Sequence, residues 1–223
     1  VYFLIFCALV LVASAINYDV LSMGLHKELM IDVALVLNSI AALLVVISLT
    51  FEIPKELREG VASTLLAKPL GRFQYLLGKM IGCVVTGAVI CFLIAVGSFI
   101  VFNISFAQLI DVTMFQSHLL IILALIPMSA LGVLFAVLLP EVIAPIITVV
   151  VVWFAFSTKF LSNIWGLYGG ILPDLDLFNF KANAVYQVSI PWMYILLVAV
   201  WGICYAAFAL SLASIIFERK DIK

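Results

Sequence analysis

The residues with the greatest capacity for chemistry are crowded into one stretch, from Glu52 to Gly78, which reads EIPKELREGVASTLLAKPLGRFQYLLG. The rest of the chain is almost uncharged. Pro54 suits the first turn of a helix, and apolar residues recur behind it at three- and four-residue spacing around a polar side. The pattern predicts an amphipathic helix on a membrane surface, which Pro69 and Gly71 end. Its charges could bind a protein partner, or the stretch could be a solvated connector whose charges only fix the topology.

Cysteine and histidine offer no second reactive centre in the sequence. There is no CxxC, HExxH or GxSxG motif, and neither histidine has a neighbouring carboxylate pair. The cysteines lie inside apolar runs and are expected to be small buried hydrophobes, and both histidines are expected in connections outside the membrane. These residues are Cys7, Cys83, Cys91, Cys204, His26 and His118. We therefore expect no catalytic, cofactor or metal site in this chain.

A phosphate-binding loop is also missing from the sequence. No GxxxxGK[ST] motif occurs, and the pair Gly78-Lys79 lies at a predicted membrane boundary. Any ATP hydrolysis linked to this chain must come from a partner.

The composition indicates an integral membrane protein. Apolar residues make up 67% of the 223 residues and charged residues 10%, against roughly 45–50% and 25% in soluble domains. The net charge of -1 provides no basic field for nucleic acid. Because the sequence opens inside an apolar run with no Met, we expect further residues before Val1.

Six apolar stretches approach or exceed the roughly 20 residues that a helix needs to cross a bilayer. In lipid each backbone polar group must be bonded within its own segment, so these stretches should be helical. The predicted spans are residues 1–16, 32–51, 76–102, 119–139, 142–157 and 191–217. The sequence thus predicts an all-α integral membrane bundle of six transmembrane helices in a single domain, 1–223, with the charged segment 52–75 between spans 2 and 3.

The distribution of Lys and Arg predicts the orientation of this bundle. One side holds Lys55, Arg58, Lys68, Arg72, Lys79, Arg219, Lys220 and Lys223. The other side holds only Lys27, Lys159 and Lys181. The positive-inside rule therefore places both termini in the cytoplasm and the connections 18–31, 103–118 and 158–190 outside. The many aromatic residues of 158–190 predict ordered short helices at the membrane interface.

A few polar and small residues within the spans are candidates for function. Asn38, Ser39, Thr86 and Ser98 could line a substrate path, although helix-to-helix hydrogen bonds explain such residues equally well. Gly78 and Gly82 form a small-xxx-small pair suited to close helix packing. Asp32 and Glu141 lie near span ends, where both should reach water.

Three motifs resemble one family of membrane proteins. Residues 56–60 (ELREG), 64–72 (TLLAKPLGR) and 76–82 (LLGKMIG), with Glu52 before them, resemble the signature of type-2 ABC exporter permeases. The ending IFERKDIK is similar to the end of many members. Residues 172–181 (LPDLDLFNFK) resemble a motif of the branch that includes the nitrous-oxide-reductase maturation permeases. One position departs from the pattern, because Val61 and not Thr follows Gly60.

The resemblance implies a multi-pass permease of a prokaryotic cell membrane that pairs with a second copy or a homologous permease. Two cytoplasmic ABC ATP-binding subunits, which hold ATP and Mg, would drive it through a coupling helix after the second span. A further partner outside the membrane could bind at 158–190. The residues that would contact or orient the ATPase are Glu52, Glu56, Arg58, Glu59, Gly60, Leu65, Leu66, Lys68, Pro69 and Arg72.

Three other functions remain open at this point. A non-transporting scaffold or assembly subunit would tolerate loss of the charged helix, whereas an exporter would not. An ion channel or secondary carrier would show paired charges or broken helices at mid-membrane, and neither is clear in the sequence. A membrane hydrolase would need a nucleophile near a histidine, which the sequence does not indicate.

Overall fold

The computed structural model describes residues 2–15, 25–60, 71–106, 111–158 and 173–219. All regular structure within these ranges is helical, as predicted. The elements are α1 (Tyr2–Ala15), α2 (His26–Arg58), α3 (Arg72–Phe106), α4 (Val112–Leu138), α5 (Ile143–Ala155), a 3₁₀ helix (Leu175–Phe178), α6 (Lys181–Val185) and α7 (Trp192–Glu218).

Four of these helices, α2, α3, α4 and α7, are long and apolar enough to cross a membrane. They are compatible with a multi-pass membrane protein. The helices α1 and α5 have 14 and 13 residues, fewer than the roughly 20 that a span needs. The prediction of six spans therefore stays a prediction beyond these four.

The helices begin and end differently from the predicted spans. With 33 and 35 residues, α2 and α3 are about 50 Å long, well beyond the roughly 30 Å of a hydrocarbon core. Both helices therefore extend beyond the predicted spans 32–51 and 76–102. The fourth helix also begins before its predicted span at 119, because Asp111 caps α4 by accepting a hydrogen bond from the Thr113 N–H.

The prediction that Pro54 begins a separate surface helix is wrong. Pro54 lies inside α2, which continues to Arg58. An internal proline removes one backbone hydrogen bond and costs about 3 kcal/mol. Burial of Ile53 and packing of Leu57 against the core favour continuation of the helix in this direction. The amphipathic pattern at residues 52–58 therefore belongs to the end of the long α2.

The centre of the bundle is α4, which packs against α2, α3, α5 and α7. Glycines permit the closest approaches. A Cβ at Gly87 would lie 2.9 Å from Leu125, one at Gly132 would lie 3.0 Å from Val46, and one at Gly202 would lie 3.2 Å from Phe178. The predicted pair Gly78 and Gly82 does not pack in this way within the described chain, where a Cβ at either position would meet no atom within 4 Å.

The bundle has two chemically different ends. The helices α2 and α3 are antiparallel, since Cys83 Sγ lies 3.7 Å from the Val45 carbonyl oxygen and Cys91 Sγ the same distance from that of Asn38. We call the end that contains Glu56, Arg58, Arg72, Lys79 and Glu141 the charged end. The end that contains His26, Asp32, Asp111 and residues 173–190 is called the connection end.

Residues 173–190 cover the connection end, and side chains of α4 and α7 form hydrogen bonds with their backbone. The Gln116 amide donates to the Ile190 carbonyl over 2.9 Å and accepts from the Ile190 N–H over 3.3 Å. Ser117 donates to the Phe180 carbonyl and Tyr194 to that of Leu177. Leu175 and Phe178 are buried beneath this cover. The part of the connection that the structure describes contains the predicted short helices, and residues 159–172 lie outside the described ranges.

Candidate functional site

Polar side chains from α2 and α3 are bonded to one another at the charged end. Glu56 Oε1 lies 2.5 Å from Lys79 Nζ, and the Tyr75 hydroxyl donates to Glu56 Oε2 over 2.7 Å. Glu52, one turn earlier on α2, lies 3.5 Å from the same ammonium group. Glu56 and Lys79 each expose only 23% of their side chains, so this charge-assisted bond firmly ties the end of α2 to the start of α3.

A second ion pair joins α2 to the turn between α4 and α5. Arg58, in the last turn of α2, pairs with Glu141. The turn is tight, because the Pro140 carbonyl accepts from the N–H groups of Ile143 and Ala144. The Arg58 side chain nevertheless remains 66% exposed. Exposed ion pairs contribute only about 0–1 kcal/mol, so Arg58 can exchange this partner for one on another protein at little cost.

Arg72 joins the start of α3 to the end of α7. Its Nη1 donates to the carbonyl oxygens of Phe217 and Glu218 over 2.6 and 2.9 Å. The last carbonyls of a helix lack partners within the helix and carry partial negative charge, which suits a guanidinium. The Tyr75 and Phe217 rings stack beside it, with their centroids 6.1 Å apart. The ends of α2, α3 and α7 and the α4–α5 turn are thus linked at one place.

The predicted ATPase-contact residues have different surroundings in the structure. Glu52, Glu56, Arg58 and Arg72 form contacts within the chain. The contacts of the last three join residues 19 to 146 positions apart, and the sequence did not indicate them. Glu52 and Glu59 are exposed. Gly60 follows the C-cap of α2 with a φ of 74°, a left-handed conformation that glycine adopts readily at a helix end. Leu65, Leu66, Lys68 and Pro69 lie outside the described residues.

The four candidate substrate-path residues lie in different surroundings. Ser39 lines a cavity and donates to the Leu35 carbonyl. Asn38 and Ser98 are fully buried, and neither polar atom of the Asn38 side chain has a hydrogen-bond partner in the described structure. Thr86 lies on the exposed face of α3. These residues therefore do not form one continuous path within a single copy of the described chain.

The placement of His118 in an outside connection is wrong. It lies in α4 and is buried, with Nδ1 2.9 Å from the Met114 carbonyl oxygen and Nε2 3.4 Å from Ser98 Oγ. A carbonyl oxygen only accepts, so Nδ1 is the donor in that bond. The Phe99 ring packs on the imidazole, with centroids 5.3 Å apart. These contacts give His118 a structural place in the bundle, between α3 and α4.

The other candidates for reactive chemistry are dispersed. Among the residues that the structure describes, no group of three or more His, Cys, Asp or Glu side chains is placed to hold a metal ion. Cys7, Cys83 and Cys91 are buried, as expected, whereas Cys204 is exposed on α7. An apolar bundle in lipid can present a small hydrophobe outward, which explains that exception.

The charged end combines intrachain ion pairs with exposed charges, Arg58 and Glu59, at the tip of a helix about 50 Å long. Comparison with protein-family models and with curated protein sequences gives no match to this chain.

Proposed function

We propose that this chain is the membrane subunit of an ATP-driven exporter, of the type-2 ABC permease kind that its motifs resemble. The observation that supports this most is the continuity of α2, which runs from the connection end to exposed charges at the charged end. Although Pro54 removes one backbone hydrogen bond near its end, α2 continues through this position, so large displacements of its tip would reach the opposite end of the helix. A partner that moves Arg58 and Glu59 further than the joint at Pro54 absorbs would thus move the rest of α2 as a rigid body.

On this proposal the charged end faces the cytoplasm and binds an ATP-binding subunit that supplies ATP and Mg. The chain itself is not the enzyme. The contact surface consists of the α2 tip and the following residues of the 52–75 segment, including the predicted amphipathic portion beyond Gly60. A second permease copy or a homologue completes the membrane pathway across a prokaryotic cell membrane.

The Arg58–Glu141 pair offers a sharp test of the coupling role. Reversing Arg58 alone would break the intrachain ion pair and change the partner surface together, so its effect would be ambiguous. The double exchange Arg58→Glu with Glu141→Arg restores an ion pair within the chain but reverses the charge at the α2 tip. Glu59→Lys changes an exposed charge that forms no ion pair within the described part of the chain.

The experiment is a mild-detergent pull-down of the tagged full-length protein, followed by an assay of vanadate-sensitive ATPase activity in the purified complex. We expect an ATPase to co-purify. The double exchange and Glu59→Lys should each lower ATPase stimulation severalfold while leaving the thermal unfolding temperature of the membrane subunit unchanged. Wild-type ATPase rates in both variants would exclude the α2 tip as the coupling surface.

A non-transporting scaffold or assembly subunit is the second candidate. It is favoured by exposed apolar side chains on the covered connection end, where Tyr186 and Val188 are 77% and 53% exposed and could bind an extracytoplasmic partner. A pull-down that yields a partner at this end and no ATPase would support the scaffold over the exporter.

A further inference from the structure

A narrow cavity of about 230 Å³ lies between α2, α4, α5 and residues 178–181. Its walls are mainly apolar and include Val36, Ile40 and Leu43 from α2 and Ile121, Ala124 and Met128 from α4. Neither the charged end nor the proposed coupling surface uses these residues. The cavity is therefore a separate feature of the bundle, close to its connection end.

The dimensions of the cavity fit a slender ligand. Its lining on α4 extends from Ser117 to Met128, which corresponds to about 16 Å along a helix axis. Its volume is below the roughly 300–1,000 Å³ of pockets that hold drug-sized molecules. A long cavity of small volume accommodates one alkyl chain better than a fused ring system or two chains side by side.

Three of the four polar residues that line the cavity lie at one end. Lys181, Asn179 and Ser117 line it where residues 178–181 cross α4. The fourth, Ser39, is on the α2 wall, and its hydroxyl donates to the Leu35 carbonyl of its own helix. Burial lowers the pKa of the Lys181 ammonium group, and nearby Asp32 raises it and so opposes part of that effect. Among the described residues no carboxylate is within ion-pair distance of Lys181. A partly desolvated cation thus lies at the mouth of an apolar channel.

Part of the α2 wall of the cavity also lies at the outer surface of the bundle. Val36 and Ile40, which belong to its α2 wall, are 37% and 44% exposed. A molecule dissolved in the bilayer could therefore enter from the side, with its polar group remaining at the level of Lys181. Lysine forms strong charge-assisted hydrogen bonds with carboxylate and phosphate groups.

We propose that this cavity binds a single-chain amphiphile with an anionic head group, whose head contacts Lys181 and whose chain extends along α4 toward Met128. Apolar walls select the chain, the small volume excludes a second chain, and the lysine selects the charge. This site needs only that the chain lies in a bilayer, so it does not depend on the exporter function.

The test uses the full-length protein in nanodiscs of phosphatidylcholine, with dodecanoic acid that carries a photoreactive diazirine at the end of its chain. Mass spectrometry should locate cross-links near Leu43 and Met128. Unlabelled dodecanoic acid and dodecyl phosphate should displace the probe, whereas dodecanol should not. Lys181→Gln should weaken binding roughly tenfold, as expected for loss of a charge-assisted bond.

Matched variants separate this site from general membrane partitioning. Lys27→Gln removes a cation at the same end that lies over the Phe102 ring and does not line the cavity, so binding should be unchanged. Lys181→Arg should retain binding, and Ala124→Phe should abolish it by filling the cavity from the α4 side. Thermal unfolding of each variant without probe confirms that it is folded.

Several results would overturn the proposal. Equal displacement by dodecanol and dodecanoic acid would exclude recognition of the anion, and this arm needs no variant to fold. Unchanged labelling in Ala124→Phe would place the probe elsewhere. Displacement by phosphatidylglycerol added to the nanodisc would identify a two-chain lipid as the occupant and contradict the single-chain assignment.

Discussion

The two ends of the bundle are held together by different kinds of interaction. At the charged end, side-chain ion pairs such as Glu56–Lys79 and Arg58–Glu141 link neighbouring helices, and one member of the second pair is largely exposed. At the connection end, buried side chains such as Gln116 bond to the backbone, and Phe178 fills the space beneath residues 173–190.

This difference indicates which end can rearrange. Exposed ion pairs are individually weak and screened by salt, so a charged partner can replace them. A buried amide that satisfies a backbone N–H and a backbone carbonyl cannot be displaced without leaving both unbonded. We therefore expect the contacts of the connection end to contribute more to the stability of the bundle. We expect those of the charged end to rearrange when a partner binds.

Loss of the buried Phe178 ring at the connection end should give the largest decrease in stability. Phe178→Ala removes a buried ring that contacts Gly202 and packs near Trp201, and it should lower the free energy of unfolding by about 3–5 kcal/mol. Phe208→Ala is the control, because that ring is exposed on α7. Unfolding of both variants in detergent micelles measures the difference. Similar losses would show that the connection end is not specially stabilised.

Replacing one glutamine by leucine at each end should give the next largest difference in stability. Gln116→Leu leaves the Ile190 N–H and carbonyl without their partner and should cost about 2–4 kcal/mol. Gln74→Leu removes one exposed bond to the Gly71 N–H and should cost less than about 1 kcal/mol. Thermal unfolding and limited proteolysis of residues 173–190 check this prediction. It fails if the two variants are equally stable.

Replacing either of two glycines on α3 by alanine should change the stability of the bundle, but in opposite directions. Gly87→Ala places a methyl group 2.9 Å from Leu125 and should destabilise the bundle by about 1–3 kcal/mol. Gly82→Ala meets open space within one chain and should stabilise the helix by roughly 0.5–1 kcal/mol. Unfolding together with light scattering tests both. Loss of a dimer in Gly82→Ala alone would instead place Gly82 at an interface between copies.

The smallest effect is expected for the more exposed ion pair at the charged end, Arg58–Glu141. A double-mutant cycle with Arg58→Met and Glu141→Gln should give a coupling energy of about 1 kcal/mol or less, which falls as salt is raised, because the Arg58 side chain is 66% exposed. A salt-independent coupling several times larger would mean that the charged end is as rigid as the connection end.

Much of the fold could be predicted from the sequence because apolar runs in lipid must be helical. The helix ends could not. Gln116, Ser117 and His118 look like a solvated connection, yet they lie in the first turns of a buried helix because each side chain bonds to another element or to its own turn. Pro54 looks like a helix start, but tertiary packing of Ile53 carries α2 through it.

The candidate sites were predictable only as local patterns. The density of charge at residues 52–72 predicted a surface for a partner, and this stays a prediction. Which charges pair within the chain depends on helices that meet in space, as Glu56 and Lys79 do 23 positions apart. The cavity beside Lys181 could not be foreseen, because its walls come from three helices and a connection with no common spacing.

Pro54 gives α2 an uneven stiffness. It has no N–H to donate toward the Thr50 carbonyl, so the helix lacks one backbone hydrogen bond about one turn before its end. The residues from His26 to Leu49 should behave as one rod, while the final turn with Arg58 can pivot by a few degrees at this joint. A small displacement of the α2 tip would bend the helix at Pro54 and would not move the rest of it. Only a larger displacement would reach the connection end of the bundle.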